Sequence, residues 1–136
     1  MNKKILIIAS DPNSINSEII YKSWKKINKK IKKEIILIGN FNLIKEQFKK
    51  LKIKIKILKV VNFDDIKSNN KLKIFDVPVT FKNPFAVEEK KASNYLFNCL
   101  RLADKLARSK KVKGIINCPI DNKLIKKIQK PGLTEY

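Results

Sequence analysis

Two polar clusters in this sequence could do chemistry. Near the amino end a loop reads Ser10-Asp11-Pro12-Asn13-Ser14, and near the carboxyl end a turn reads Asn117-Cys118-Pro119-Ile120-Asp121-Asn122-Lys123. A carboxylate such as Asp11 and an amide such as Asn117 can orient a polar ligand through hydrogen bonds. Each cluster follows an apolar run directly, and polar groups past the carboxyl ends of strands are where open α/β sheets hold ligands. Several chemistries are excluded. The sequence has no histidine, so Ser-His and Cys-His nucleophile pairs cannot form. Cys99 and Cys118 alone cannot build a usual zinc site; they read as reduced structural thiols. Three glycines supply neither a Gly-x-Gly-x-x-Gly nor a phosphate-loop pattern. Asp64-Asp65 invites a metal reading, but adjacent carboxylates point apart in most conformations, and a solvated turn explains them more simply. Asp11 and Glu18 read equally well as caps around a helix start.

The elements that must position these clusters follow from periodicity. Ile5 to Ala9, Glu34 to Ile38 and Val112 to Ile116 are short apolar runs of the kind buried on both faces of a parallel sheet. All three are expected as interior strands ending on one edge, which Asp11, Asn117 and Thr134 should approach. Ile15, Ile19, Ile20, Trp24, Ile27 and Ile31 form one stripe of a helix, with lysines opposite. Phe41, Ile44, Phe48 and Leu51 mark a second, shorter helix, and residues 88–108 a third and longest, with Ala92, Tyr95, Leu96, Cys99, Leu102, Ala103 and Leu106 inward. Residues 53–60 alternate Ile and Lys, as a strand near a sheet edge does, and Leu72 to Phe75 is a further short strand. After Pro119, Asp121 or Asn122 can cap a short helix carrying Leu124, Ile125 and Ile128, stopped by Pro131-Gly132. The alternation predicts one α/β domain over residues 1–136 with a largely parallel sheet flanked by helices.

The formal net charge is +20, a balance that suggests nucleic acid or an anionic surface. Two features weaken that reading. Arg101 and Arg108 are the only arginines among 32 basic residues, although arginine suits bidentate phosphate recognition best. The lysines are also spread over every element. Isoleucine and asparagine are abundant too, and a compositional drift toward Lys, Ile and Asn explains all of this together. The amino end imitates a signal peptide, but its apolar core is too short before Asp11, and no run approaches a membrane span. A cytoplasmic protein is expected.

Taken in order, the clusters resemble the 4-hydroxythreonine-4-phosphate dehydrogenases of pyridoxal phosphate biosynthesis. That family's first loop reads Gly-Asp-Pro-x-Gly-Ile-Gly-Pro-Glu. Here Asp11, Pro12, Ile15 and Glu18 agree, while Ser10 replaces the leading glycine and the other glycines and second proline are lost. The family's Thr-x-Pro-Ile/Val-x-Lys-like turn is matched by residues 117–123, with Asn122 at the lysine position and Lys123 beside it. Its Gly-His-Thr-Glu-aromatic motif is matched by Gly132-Leu133-Thr134-Glu135-Tyr136, with Leu133 at the substrate-contacting histidine. The resemblance covers the amino-terminal part of a member, less than half of it. It implies an isocitrate/isopropylmalate-dehydrogenase-like fold, a homodimer with its cleft between two domains, and NAD with a divalent metal as cofactors. The implied substrate is a small phosphorylated amino acid, 4-phosphohydroxy-L-threonine, oxidised at its 3-hydroxyl before decarboxylation. By resemblance Thr134 binds substrate, the one substrate-contacting residue that carries over; Asp11, Asn117 and Lys123 are candidates to line the site. The family's metal-binding histidines have no counterpart. The expectation is therefore a truncated or degenerate dehydrogenase, inactive alone, that pairs with itself or with a complementing carboxyl-terminal segment. The alternative is a non-catalytic basic module that binds nucleic acid or another polyanion.

Overall fold

The computed structural model describes residues 3–66 and 69–120. Five strands form one sheet: β1 (Lys4–Ile8), β2 (Ile35–Gly39), β3 (Ile57–Val60), β4 (Leu72–Asp76) and β5 (Val112–Asn117). They are parallel throughout and lie in the order β3-β4-β2-β1-β5. The helices are α1 (Asn16–Lys26), α2 (Lys29–Lys32), α3 (Phe41–Lys50) and α4 (Glu89–Ala107), with a 3-10 turn at Phe63–Asp65. Among the described residues no helix is long and apolar enough to cross a membrane.

Side-chain alternation divides the core into two layers. Leu6, Ile8, Ile36 and Ile38 point to one face and pack against Ala92, Tyr95, Leu96 and Cys99 of α4. Ile35, Leu37, Leu72 and Ile74 point to the other and pack against Ile20 and Trp24 of α1 and Ile44 and Phe48 of α3. Covering both faces is what lets β2 be apolar at every position without exposing any of it. The close packing shows at Gly39, where an added Cβ would lie 2.9 Å from both Ile44 Cδ1 and the Tyr95 hydroxyl.

Four local features differ from the periodicity. The stripe over residues 15–31 is two helices, because Ile27 turns extended and Asn28 caps α2 by accepting from the Ile31 N–H at 2.9 Å. The ends of that stripe, Ile15 and Ile31, are exposed. β3 starts only at Ile57, since the Ile53 N–H is taken by Phe48 O at the end of α3. β5 is the last strand of the described sheet instead of an interior one, while the short strand β4 lies inside it.

The chain order creates a crevice. From β1 the chain steps to β2 on one side, and α4 later carries it back across the sheet to β5 on the other. The change of direction falls between β1 and its neighbours β2 and β5, and the carboxyl ends of strands beside such a switch are where these sheets bind ligands.

Candidate functional site

The carboxyl ends of β1 and β5 meet through one hydrogen bond and one clasp. The Cys118 N–H donates to Ile8 O at 3.1 Å, continuing the ladder past β5. Above it, Ser10 Oγ donates to Asn117 Oδ1. Ser10 is fully buried and has φ 63°, a left-handed conformation that costs an L-residue roughly 1–2 kcal/mol and favours glycine. Strain of this kind is held in place by surrounding contacts and clusters at functional sites. Asn117 itself is exposed, and its Nδ2 makes no hydrogen bond among the described residues.

Asp11 follows and is 7% exposed. Its Oδ1 accepts from the Asn13 N–H at 2.9 Å, closing a side-chain-to-backbone turn, and its carbonyl accepts from Ser14 Oγ at 2.8 Å. Asp11 thus shapes the loop, while the α1 start is served by Ser14 Oγ, which accepts from the Asn16 N–H at 3.2 Å. Glu18 pairs on the surface with Lys22 at 3.2 Å. The carboxyl edge consequently gathers Asp11 and Asn117, as the sequence predicts, and leaves Glu18 outside. Lys123 and Thr134 lie outside the described residues, as does the helix expected over 121–130.

Three amides that sequence reasoning passed over tie this edge together. Asn16 Nδ2 donates both to Ala9 O at 3.0 Å and to Pro119 O at 2.9 Å, bridging the exits of β1 and β5. Asn13 exchanges two 2.8 Å hydrogen bonds with the Val87 backbone just before α4. Gln47 Nε2, on α3, donates to Pro12 O and Pro84 O, each at 2.8 Å. Amides in this role, two of them buried (Asn16 and Gln47) and one exposed (Asn13), make few demands on periodicity. Beneath the loop, Asn16 Oδ1 and Ser17 Oγ are buried without a hydrogen-bond partner among the described residues. Both residues border a small cavity shared with Ser10, Asp11, Gln47 and Tyr95. Unsatisfied buried polar atoms are costly, and the cavity, of about 10 Å³, is of the size that holds a single water.

The titratable groups nearby are quiet. Burial pushes the Cys118 thiol up to about 11, away from a nucleophile's range. Burial also raises Cys99 and Tyr95 well above their ordinary values. The Tyr95 hydroxyl accepts from the Asn40 N–H at 2.7 Å. Asp64 pairs with Lys111, which precedes β5, and so has no part in this edge. Among the described residues no group of three His, Cys, Asp or Glu side chains could hold a metal ion. The described donor set alone therefore does not fit a divalent metal. A dinucleotide finds no glycine-lined cradle here either: the Ser10 hydroxyl is taken by Asn117, and both ends of the Asn13 amide are taken by Val87.

Known proteins place this architecture. The sequence matches the family model described as "Pyridoxal phosphate biosynthetic protein PdxA" over residues 30–136. No curated protein matches it. Among solved structures, it is similar to a putative 4-hydroxythreonine-4-phosphate dehydrogenase from Salmonella typhimurium, with TM-score 0.81 and 21% identity over 99% of this chain and 43% of that one. It is also similar to a 4-hydroxythreonine-4-phosphate dehydrogenase from Burkholderia phymatum, with TM-score 0.83 and 18% identity over 99% and 42%. A third, from Klebsiella pneumoniae, gives 0.79 and 22% over 98% and 43%. At these identities the likeness is one of fold, and the chain spans less than half the length of each of those structures. The match over residues 30–136, on a parallel sheet of this order, carries the conclusion that the chain belongs to the PdxA family.

Proposed function

We propose that this chain, as one α/β domain, forms one wall of a 4-hydroxythreonine-4-phosphate dehydrogenase site. The observation that carries the reading is the convergence of Asp11 and Asn117 at the β1–β5 seam in a chain of the PdxA family. In this reading Asn117 and the loop after β1 hold the polar end of a small phosphorylated hydroxy amino acid, with Thr134 and Lys123 as further contacts. The Ser10–Asn117 clasp fixes the amide so that its Nδ2 can donate to a ligand oxygen. Asp11 acts by setting the loop's shape through Asn13 and Ser14. When bound, a metal would polarise the substrate hydroxyl and NAD would accept the hydride. The described residues do not fit either group, so ligands for them would come from a complementing segment or a second subunit, and a homodimer in the cytoplasm is the assembly this reading implies.

The alternative, a polyanion-binding module, draws less support. The basic side chains are dispersed, and Lys22, Lys59, Lys111 and Lys113 already face carboxylates. The test is a spectrophotometric NADH assay on the purified chain with 4-phosphohydroxy-L-threonine and divalent metal. No turnover by the chain alone, also after Leu133→His, and turnover on adding the carboxyl-terminal segment of a close relative would support the proposal. Turnover by the unmodified chain alone, or none with any complement, would refute it.

A further inference from the structure

Two polar atoms in the first turn of α1, Asn16 Oδ1 and Ser17 Oγ, are sealed from solvent with no hydrogen-bond partner among the described residues. The residues that carry them are 3% and 4% exposed. Turning the amide does not mend this. Asn16 Nδ2 donates to Ala9 O at 3.0 Å and to Pro119 O at 2.9 Å. A flipped amide would set Oδ1 against those two carbonyl oxygens. The bridge between the exits of β1 and β5 therefore fixes Oδ1 as an acceptor that needs a donor from elsewhere, whereas the Ser17 hydroxyl can both donate and accept.

Both residues border the same cavity of about 10 Å³, beneath the loop that follows β1. The other polar groups on its wall are engaged: Ser10 Oγ with Asn117, Asp11 Oδ1 with the Asn13 N–H, Gln47 Nε2 with Pro12 O and Pro84 O, and the Tyr95 hydroxyl with the Asn40 N–H. Ile20, Leu43 and Ile44 supply an apolar remainder. A buried water needs about one probe sphere of space and two to four polar partners. A phosphate or a carboxylate would not fit.

We propose that this cavity is a water site: one ordered water donates to Asn16 Oδ1 and hydrogen-bonds Ser17 Oγ, and so belongs to the structure of the β1–β5 seam. The amide whose acceptor it satisfies is the one that ties Ala9 to Pro119. With the water in place Asn16 is bonded at both ends of its amide. Without it, the bridge would leave a buried acceptor unmade, a cost comparable to what a hydrogen bond contributes. Ser17 is in this way a positioning residue that acts on the seam through the water and Asn16. The inference holds independently of which ligand the seam binds.

A crystal structure of the full chain and two serine variants test this. Density for a single water within hydrogen-bond distance of both Asn16 Oδ1 and Ser17 Oγ is expected; a dry cavity, or one closed by a side chain, would overturn the proposal. Ser17→Ala gives an independent sign. Removing a hydroxyl that holds a water breaks a buried hydrogen bond and should lower the urea midpoint, whereas removing an unpaired hydroxyl should raise it. Ser23→Ala, at an exposed position of the same helix, reports the change in helix propensity alone. Ser17→Ala is expected to fall below it, and a midpoint at or above that of Ser23→Ala would also overturn the proposal. Positioning is read by hydrogen exchange. In Ser17→Ala the Cys118 amide, which donates to Ile8 O across the seam, should exchange faster by a larger factor than the Leu37 amide of β2. Equal factors at the two amides would reduce Ser17 to a general contribution to stability and overturn its positioning role.

Discussion

β2 is buried at all five of its positions, while none of the six residues of β5 is buried. In sequence both are short runs rich in isoleucine, although β5 carries Lys113 and Asn117 where β2 is apolar throughout. The difference is one of neighbours. β2 lies between β1 and β4 with helices on both faces, whereas among the described residues β5 pairs only with β1 and has α4 on one side. The candidate site sits where a rigidly held strand meets a lightly held one. The β1 exit is strained at Ser10 and buried, and the β5 exit keeps the exposed amide of Asn117. A seam of this kind can accept further elements without remaking the core.

The sharpest way to break this comparison is one substitution made twice. Gly39→Ala forces a Cβ against Ile44, Tyr95 and Ala9, and should cost about 2 kcal/mol, as overpacking typically does. Gly114→Ala meets open space and should stabilise by about 0.5 kcal/mol, because glycine in a strand carries excess unfolded entropy. Urea denaturation reads both, and similar effects at the two sites would erase the distinction between interior and edge.

Charge gives the second comparison. Lys73, on interior β4, is fully buried and donates to Asn69 O at 2.8 Å. Desolvation, with a smaller push from Lys4, lowers its pKa to about 8. Between that value and the ordinary lysine range the unfolded chain binds the extra proton, so stability should rise as pH increases from 8 toward 10. Lys73→Met should remove this rise and stabilise the protein at neutral pH by about 1–2 kcal/mol. Lys113, exposed on β5, pairs with Glu34 at 2.7 Å and holds that carboxyl below its ordinary value. Lys113→Met should leave stability nearly unchanged, because an exposed ion pair contributes little. Thermal melts across pH check both.

Smaller still is the clasp. Ser10→Ala keeps the left-handed backbone and loses the bond to Asn117, and should cost about 1 kcal/mol. Ser10→Gly loses the same bond but relieves the strain, and should cost less. If the two variants are equally stable, strain at Ser10 plays no part in the seam.

Strand and helix identities were legible because each burial layer imposes its own period: β1, β2 and α4 lie within a residue or so of their apolar patterns. The position of β5 was missed, since its isoleucines show that a strand can be buried on both faces and not that it is, and Lys113 was the one sign in the run of an exposed face. The break at Ile27-Asn28 was hidden for a related reason: the stripe continues through it, and only the Asn28 side chain marks a new cap. At the β1–β5 seam, the positions of Asp11 and Asn117 were legible as polar residues at the ends of apolar runs. Asn13, Asn16 and Gln47 were not, because what makes them matter is which backbone carbonyl lies across from them, and that is a property of the assembled fold.

The claim that the β1–β5 seam is the ligand site is tested most directly by a ¹H–¹⁵N titration of the full chain with 4-phosphohydroxy-L-threonine. The account predicts shifts concentrated at Ser10, Asp11, Asn117 and Cys118, including the Asn117 side-chain amide, with millimolar affinity. Shifts centred on α3 and β3 at the far edge, or none at saturating ligand, would contradict it.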